Sequence, residues 1–148
     1  MPVYIRKNGF DALKEVQIHQ QRLEESVGYA QYGATAIFVG TMRDFNEDRA
    51  VSSMTLEYYP GMTESALEVI CEEAQSKWTI LDSLVVHRVG DIKLNDSIVV
   101  VSVWSAHRGA AYDANRYIME ALKSRAPFWK KEQTPKGIKW VEKNTSAD

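Results

Sequence analysis

Three clusters in this sequence combine residue types that could hold and act on a small anion. The first is Ser105-Ala106-His107-Arg108-Gly109, where an apolar run gives way to a helical pattern. The first turn of a helix carries unpaired N–H groups and a partial positive charge, so it attracts anions. A His-Arg pair followed by small residues would let a phosphate approach closely. The plainer reading is a capping histidine beside a solvated arginine. The second cluster is Leu122-Lys123-Ser124-Arg125-Ala126-Pro127-Phe128-Trp129-Lys130-Lys131-Glu132. Counted back at helical spacing, Lys123 falls on the stripe of Met119, Arg116 and Tyr112 rather than that of Ile118 and Leu122, so it can face a pocket. A cation near a helix C-terminus is also favoured by the dipole alone. Lys130 and Lys131 alternate in an extended segment, so only one can share the side of Lys123. Phe128 and Trp129 read as core anchors. The third cluster, Gly40-Thr41-Met42-Arg43, closes a strand-like run beside a polar loop, a common place for ligand contacts.

The charge distribution narrows the ligand. Eighteen Lys and Arg stand against twenty Asp and Glu, so bulk electrostatics gives no reason to expect nucleic acid. Basic residues nonetheless dominate from Arg108 to Lys143, and a local basic site on a nearly neutral protein suits a small anion. No HExxH, CxxC, P-loop or GxGxxG pattern occurs. His19, His87 and His107 lack ligand spacing, so neither a structural metal nor a cofactor is expected. The single cysteine, Cys71, excludes an intramolecular disulfide and lies on an inward helical stripe, which suits a small core residue better than a nucleophile. The N-terminus turns polar at once and the densest apolar run, Ile98 to Val101, is far too short to span a bilayer, so a cytoplasmic location is expected.

The elements that must position these residues follow from periodicity. A helix is expected over 10–25, with a ragged apolar face of Phe10, Leu13 and Val16. Strands are expected at 34–41 and 51–59, separated by a mobile loop from Arg43 to Ala50. Pro60-Gly61 marks a turn, and Thr63 is the expected N-cap of a helix whose stripe is Leu67, Ile70, Cys71, Ala74 and Trp78. Strands follow at 82–89 and 98–104, then a helix at 109–125 ended by Ala126-Pro127. A hairpin of 128–132 and 138–142 turns at Thr134-Pro135-Lys136-Gly137, and Asn144 to Asp148 read as a frayed tail. Hairpins are frequent and strict alternation is absent, so the expected class is α+β, with a mixed or antiparallel sheet and about three helices. One domain covers 1–148, since no linker or repeat interrupts the chain.

Taken together, five segments resemble the molybdopterin synthase large-subunit (MoaE) family: Thr55-Leu-Glu-Tyr-Tyr-Pro-Gly-Met-Thr-Glu64, Val86-His-Arg-Val-Gly90, Ser105-Ala-His-Arg108, the Leu122–Glu132 block, and Lys139-Trp-Val-Glu142. The resemblance runs from Gly33 to about Glu142, and Arg-Ala-Pro-Phe-Trp-Lys is its most specific part. It implies a hammerhead-like fold and a heterotetramer, in which two large subunits form a central homodimer and each binds a small ubiquitin-like subunit. That partner's C-terminal Gly-Gly carries a thiocarboxylate, which delivers sulfur to cyclic pyranopterin monophosphate (precursor Z). Two transfers form the dithiolene of molybdopterin. By the same resemblance Lys123 matches the catalytic lysine and Lys130 a second lysine of the site. His107 and Arg108 match an anion-binding pair, and Thr41, Met42 and Arg43 a strand-end contact. Lys131 and Glu132 fall in a substrate-contacting block. Family members can carry an arginine shortly after the Trp-Val-Glu segment, contributed across the dimer. Here Lys143 and Asn144 stand there, and lysine matches the charge but not the bidentate geometry. On the residues alone, a phosphoester or acylphosphate hydrolase and a phosphate- or RNA-binding module are the competing readings.

Overall fold

The computed structural model describes residues 2–46, 49–50 and 53–141. Lys143, Asn144, the tail and the start of the 51–59 strand lie outside the described residues. In chain order the elements are β1 (Val3–Arg6), α1 (Ala12–Val27), β2 (Ala34–Thr41), β3 (Phe45–Asn46), β4 (Arg49–Ala50), β5 (Ser53–Tyr58), α2 (Met62–Lys77), β6 (Asp82–Arg88), β7 (Gly90–Lys93), β8 (Ser97–Ser105), α3 (Arg108–Arg125), β9 (Phe128–Thr134) and β10 (Gly137–Val141).

The strands form two four-stranded sheets, ordered β1-β6-β8-β2 and β10-β9-β5-β7, and β3 pairs with β4. The first sheet is mixed, because β1 runs parallel to β6 while its other pairs are antiparallel. The second is antiparallel throughout. Among the described residues the class is therefore α+β with three helices, as the sequence suggests, but the longer strands divide between two sheets rather than one.

Helices cover both faces of the first sheet, which is why β6 and β8 are buried along most of their length and why β8 is rich in valine. On one face α1 packs Ala12, Val16 and Leu23 against Leu84, Val86, Val100 and Trp104. On the other, α2 and α3 pack Leu67, Ile70, Ala114 and Ile118 against Val85, Val101 and Val103. Each fully buried Val, Leu or Ile among them contributes roughly 1.5–3 kcal/mol. Buried Asn115 of α3 donates from Nδ2 to the carbonyls of Ala36 and Val101, both at 2.9 Å, and so ties the helix across β2 and β8. A smaller cluster of Met42, Met54, Leu56 and Ile92 lies against the second sheet.

Several local expectations change. Leu13 is 65% exposed, and α1 turns Ala12, Val16, His19 and Leu23 inward instead. Its ragged apolar pattern leaves the inward face undetermined; the cap at Asp11, which accepts from Lys14 N, sets where the helix starts, and packing on the sheet selects the face. The N-cap of α2 is Gly61, whose N–H donates to Glu64. Thr63 sits inside the first turn, fully buried, and its hydroxyl donates to the Pro127 carbonyl at 3.0 Å. The expected loop after Arg43 contains the β3–β4 ladder. Trp129 is 43% exposed on the outer face of β9, while Phe128 packs against the core. The close approach of Gly33 to the segment after β8 needs glycine: a Cβ there would lie 2.4 Å from the Ala106 carbonyl oxygen.

Candidate functional site

A cavity of about 170 Å³ opens where β2, β6, α3 and β9 meet. Its apolar wall includes Phe38, Met54, Leu56 and Phe128, and its polar groups come from each of the four segments.

The β2 contribution depends on a register shift between Gly40 and Thr41 against β8. A Cβ on Gly40 would stand 2.9 Å from Val99 Cγ1, so a larger residue would crowd the wall at this irregularity. Beyond it, Met42 N donates to the Asp96 carbonyl and the Met42 carbonyl accepts from Asn95 N, both at 2.9 Å. This pinned backbone puts Thr41, Met42 and Arg43 on the cavity.

Lys123 comes from the last turn of α3, with Met119 one turn behind it on the same wall. Ala126 leaves the helix in extended geometry before Pro127, so β9 starts at once and returns past the helix end. Strand alternation then sorts its side chains. Lys130 and Glu132 line the cavity, while Lys131 stands on the other face with its ammonium 5.2 Å from the Trp140 ring centroid. The expectation that Lys131 belongs to the site is thus not met in this chain. Arg125 is also diverted, donating to both carboxylate oxygens of Glu73 at 2.6 and 2.9 Å.

The cavity alters the chemistry of Lys123. Burial, and then the neighbouring Lys130 charge and a hydrogen bond with Lys130, lower its amine from 10.5 to about 8, against a smaller opposing effect from Glu120. Glu132 is 2% exposed beside these cations.

His87 also lines the cavity, a residue that sequence reasoning passed over because it looked only for metal-ligand spacing. Its ring stacks on Phe128 at a centroid distance of 4.0 Å, and Nδ1 lies 2.8 Å from the Arg88 carbonyl. Burial holds its imidazole down at about 4; the hydrogen bond to Arg88 opposes this, and the charges of Lys123 and Lys130 add to it.

His107 and Arg108 are not part of this cavity. They are exposed at the opposite end of α3. Arg108 and Lys123 are fifteen positions apart along the helix, about 22 Å at the usual helical rise. The sequence places both beside one helix, but β8 delivers the chain to the end of α3 away from the cavity. His107 occupies the N-cap position without a side-chain capping bond. The expectation that the pair joins Arg43 and Lys123 around one anion fails within a single chain.

Three cations around an apolar cleft suit an anionic group attached to a flat, partly apolar body. Cys71 is fully buried between α2 and the sheet and does not line the cavity. Among the described residues, no three His, Cys, Asp or Glu are placed to hold a metal ion. None of the described helices is long and apolar enough to cross a membrane.

Comparison with known proteins now bears on this geometry. The family model described as MoaE protein matches residues 13–125. A protein of Ralstonia nicotianae named molybdopterin synthase catalytic subunit is 54% identical over 115 residues, covering 78% of this chain and 65% of that protein. One of the same name from Haemophilus influenzae is 47% identical over 138 residues, covering 89% of this chain and 92% of its own length. Among solved structures, the molybdopterin biosynthesis MoaE protein from Burkholderia ambifaria superposes with a TM-score of 0.79 at 41% identity, covering 100% of this chain and 94% of that one. A chain in the complex of subunits 1 and 2 of molybdopterin-converting factor from Helicobacter pylori shares the fold, with a TM-score of 0.75 at 19% identity, covering 97% and 92%.

Proposed function

The chain belongs to the MoaE family, and from that premise we propose that it is the catalytic subunit of a molybdopterin synthase, a cytoplasmic sulfurtransferase acting as a single domain. The substrate is cyclic pyranopterin monophosphate. The sulfur comes from the C-terminal thiocarboxylate of a small ubiquitin-like partner ending in Gly-Gly, and two transfers form the dithiolene and open the cyclic phosphate. The observation that carries the reading is the convergence of Arg43, Lys123 and Lys130 on one half-apolar cavity. Such a site suits a phosphorylated heterocycle, and the chain's own thiol is buried elsewhere.

In this reading Arg43 and Lys130 hold the phosphate and offset negative charge as it develops. Lys123, near 8, is mostly an ammonium at neutral pH. It offsets the charge that develops as the thiocarboxylate sulfur bonds to the pterin side-chain carbon and the C–O bond there breaks. Its value near the working pH also lets it pass a proton to the leaving oxygen, and water then cleaves the acyl–sulfur bond, leaving the sulfur on the pterin and a carboxylate on the partner's C-terminal glycine. Glu132 balances the cations. His107 and Arg108 can meet the same phosphate only if a second copy of the chain brings them, so the site is shared across a homodimer within a heterotetramer.

The test is reconstitution: the purified chain, the thiocarboxylated small partner and cyclic pyranopterin monophosphate are combined, and dithiolene formation is followed. Formation that needs all three supports the reading. Phosphate release from the pterin without the partner would favour a hydrolase instead.

A further inference from the structure

The cavity's charged groups are mostly donors. Arg43, Lys123 and Lys130 present guanidinium and ammonium groups, Thr41 a hydroxyl, and Glu132 is the one carboxylate among the described lining residues. A phosphorylated pterin offers acceptors on its phosphate, but its ring also carries N–H donors that need acceptors once buried. His87 is built to supply one.

The construction starts at Arg88, the last residue of β6, which is buried. Its guanidinium donates to the Asp91 carbonyl at 2.6 Å and to Asp96 Oδ2 at 3.4 Å, fixing the turn into β7. The Arg88 carbonyl can only accept, so Nδ1 of His87, 2.8 Å away, carries the proton. With Nδ1 engaged and one ring face covered by Phe128, the Nε2 edge is the polar part of the ring left for the cavity. No described residue bonds Nε2, and Nε2 is not among the fully buried atoms that lack a partner. The flanking cations Lys123 and Lys130 discourage a second proton, and with the imidazole held at about 4 the ring makes a poor base but a lasting acceptor at neutral pH.

We propose that His87 is a substrate-binding residue whose imidazole accepts, at Nε2, a hydrogen bond from a ring N–H of the heterocycle in this cavity. The inference rests on the proposed function and adds the group that reads the ring rather than the phosphate. It makes His87 a selector for reduced, N–H-bearing heterocycles over phosphate esters that lack such a donor.

Two substitutions separate this role from a purely structural one. His87→Asn can keep a donor for the Arg88 carbonyl but has nothing at the place of Nε2. His87→Gln can place its amide oxygen near Nε2 but loses the link to Arg88. With thiocarboxylated partner saturating, His87→Asn is expected to raise the half-saturating pterin concentration about tenfold, the usual effect of one lost hydrogen bond that strands a donor. His87→Gln should stay within about threefold of the wild type. The half-saturating concentration of the partner should not move in either variant. The reverse order, with Asn near wild type and Gln impaired, would show that His87 only supports Arg88. A shift in partner rather than pterin saturation would assign Nε2 to the partner's tail, and either result overturns the proposal. The wild-type protein supplies a second readout that does not depend on how either variant folds. The ¹⁵N resonance of the unprotonated Nε2 should move upfield when cyclic pyranopterin monophosphate is added without partner, and an unmoved resonance at saturation overturns the proposal. If the pterin neither binds to nor is converted by the wild type, the functional reading itself falls, and this inference with it.

Discussion

At its first turn α3 presents His107 and Arg108 to solvent, and at its last turn it presents Lys123 to a cavity that also holds Arg43 and Lys130. The residue types are similar, but their surroundings are not. Lys123 is partly buried beside a second ammonium, and its amine is lowered to about 8. A cation so placed can hold charge and exchange a proton near neutral pH, whereas an exposed arginine offers only a fixed charge. The lesson is that a basic cluster becomes a reaction site through what packs around it.

The comparison breaks most visibly in a mixing experiment. Arg108→Ala and Lys123→Ala are each expected to lose nearly all sulfur transfer. If the first-turn pair serves the cavity of a second copy, mixed dimers of the two variants regain one intact site. Random exchange then restores about a quarter of the wild-type sites, by the pairing rule for a two-fold dimer. No recovery after verified subunit exchange would mean that the two ends never share a substrate.

A smaller effect concerns stability. The fold disfavours the charged form of Lys123, so Lys123→Met should stabilise the protein at pH 7 while removing its activity. With a shift from 10.5 to about 8, and after allowance for solvent screening, the gain is about 1–2 kcal/mol. The sign is testable. Below about pH 8 the penalty is complete; between 8 and 10.5, where the folded lysine is already neutral and the unfolded one still protonated, it fades as pH rises; above that the variants differ only by packing. Denaturant titrations of both proteins at pH 7 and pH 10.5 measure it, and an equal difference at both pH values would contradict the assigned cause.

The smallest effect is expected at Cys71, fully buried between α2 and the sheet. Cys71→Ala should cost roughly 1 kcal/mol from the lost sulfur contacts and leave turnover near wild type. Loss of sulfur transfer in a folded Cys71→Ala protein would place a sulfur-carrying step on this chain.

How much of this is legible in the sequence varies with the physical signal. The core stripes of α2 and α3 are periodic and long, and they lie where periodicity puts them, as the apolar run of β8 lies where it is expected. The alternation of Lys130 and Lys131 sorts the two lysines onto opposite faces, and the helical stripe of Lys123 leads to the cavity. β1 and β7 have four residues each and pair with distant strands, so no local pattern announces them. Thr63 has good capping chemistry, but its hydroxyl is drawn to Pro127, 64 positions away. The separation of Arg108 from Lys123 needs only the helix length, yet grouping the residues by charge hides it. His87 gives a weak signal as one of several polar residues in β6, and only the bond to Arg88 and the stack on Phe128 reveal its use.

The most direct test of the central claim is single-turnover sulfur transfer by Lys123→Ala, with thiocarboxylated partner and cyclic pyranopterin monophosphate both in excess over their binding constants. The side chain lies at a helix end beside a cavity, so the variant should fold and bind the partner. The rate should fall by about 10²–10³, the usual effect of removing one group that stabilises charge in a transition state. Dithiolene formation at a near-normal rate would contradict the account and transfer the role to Lys130.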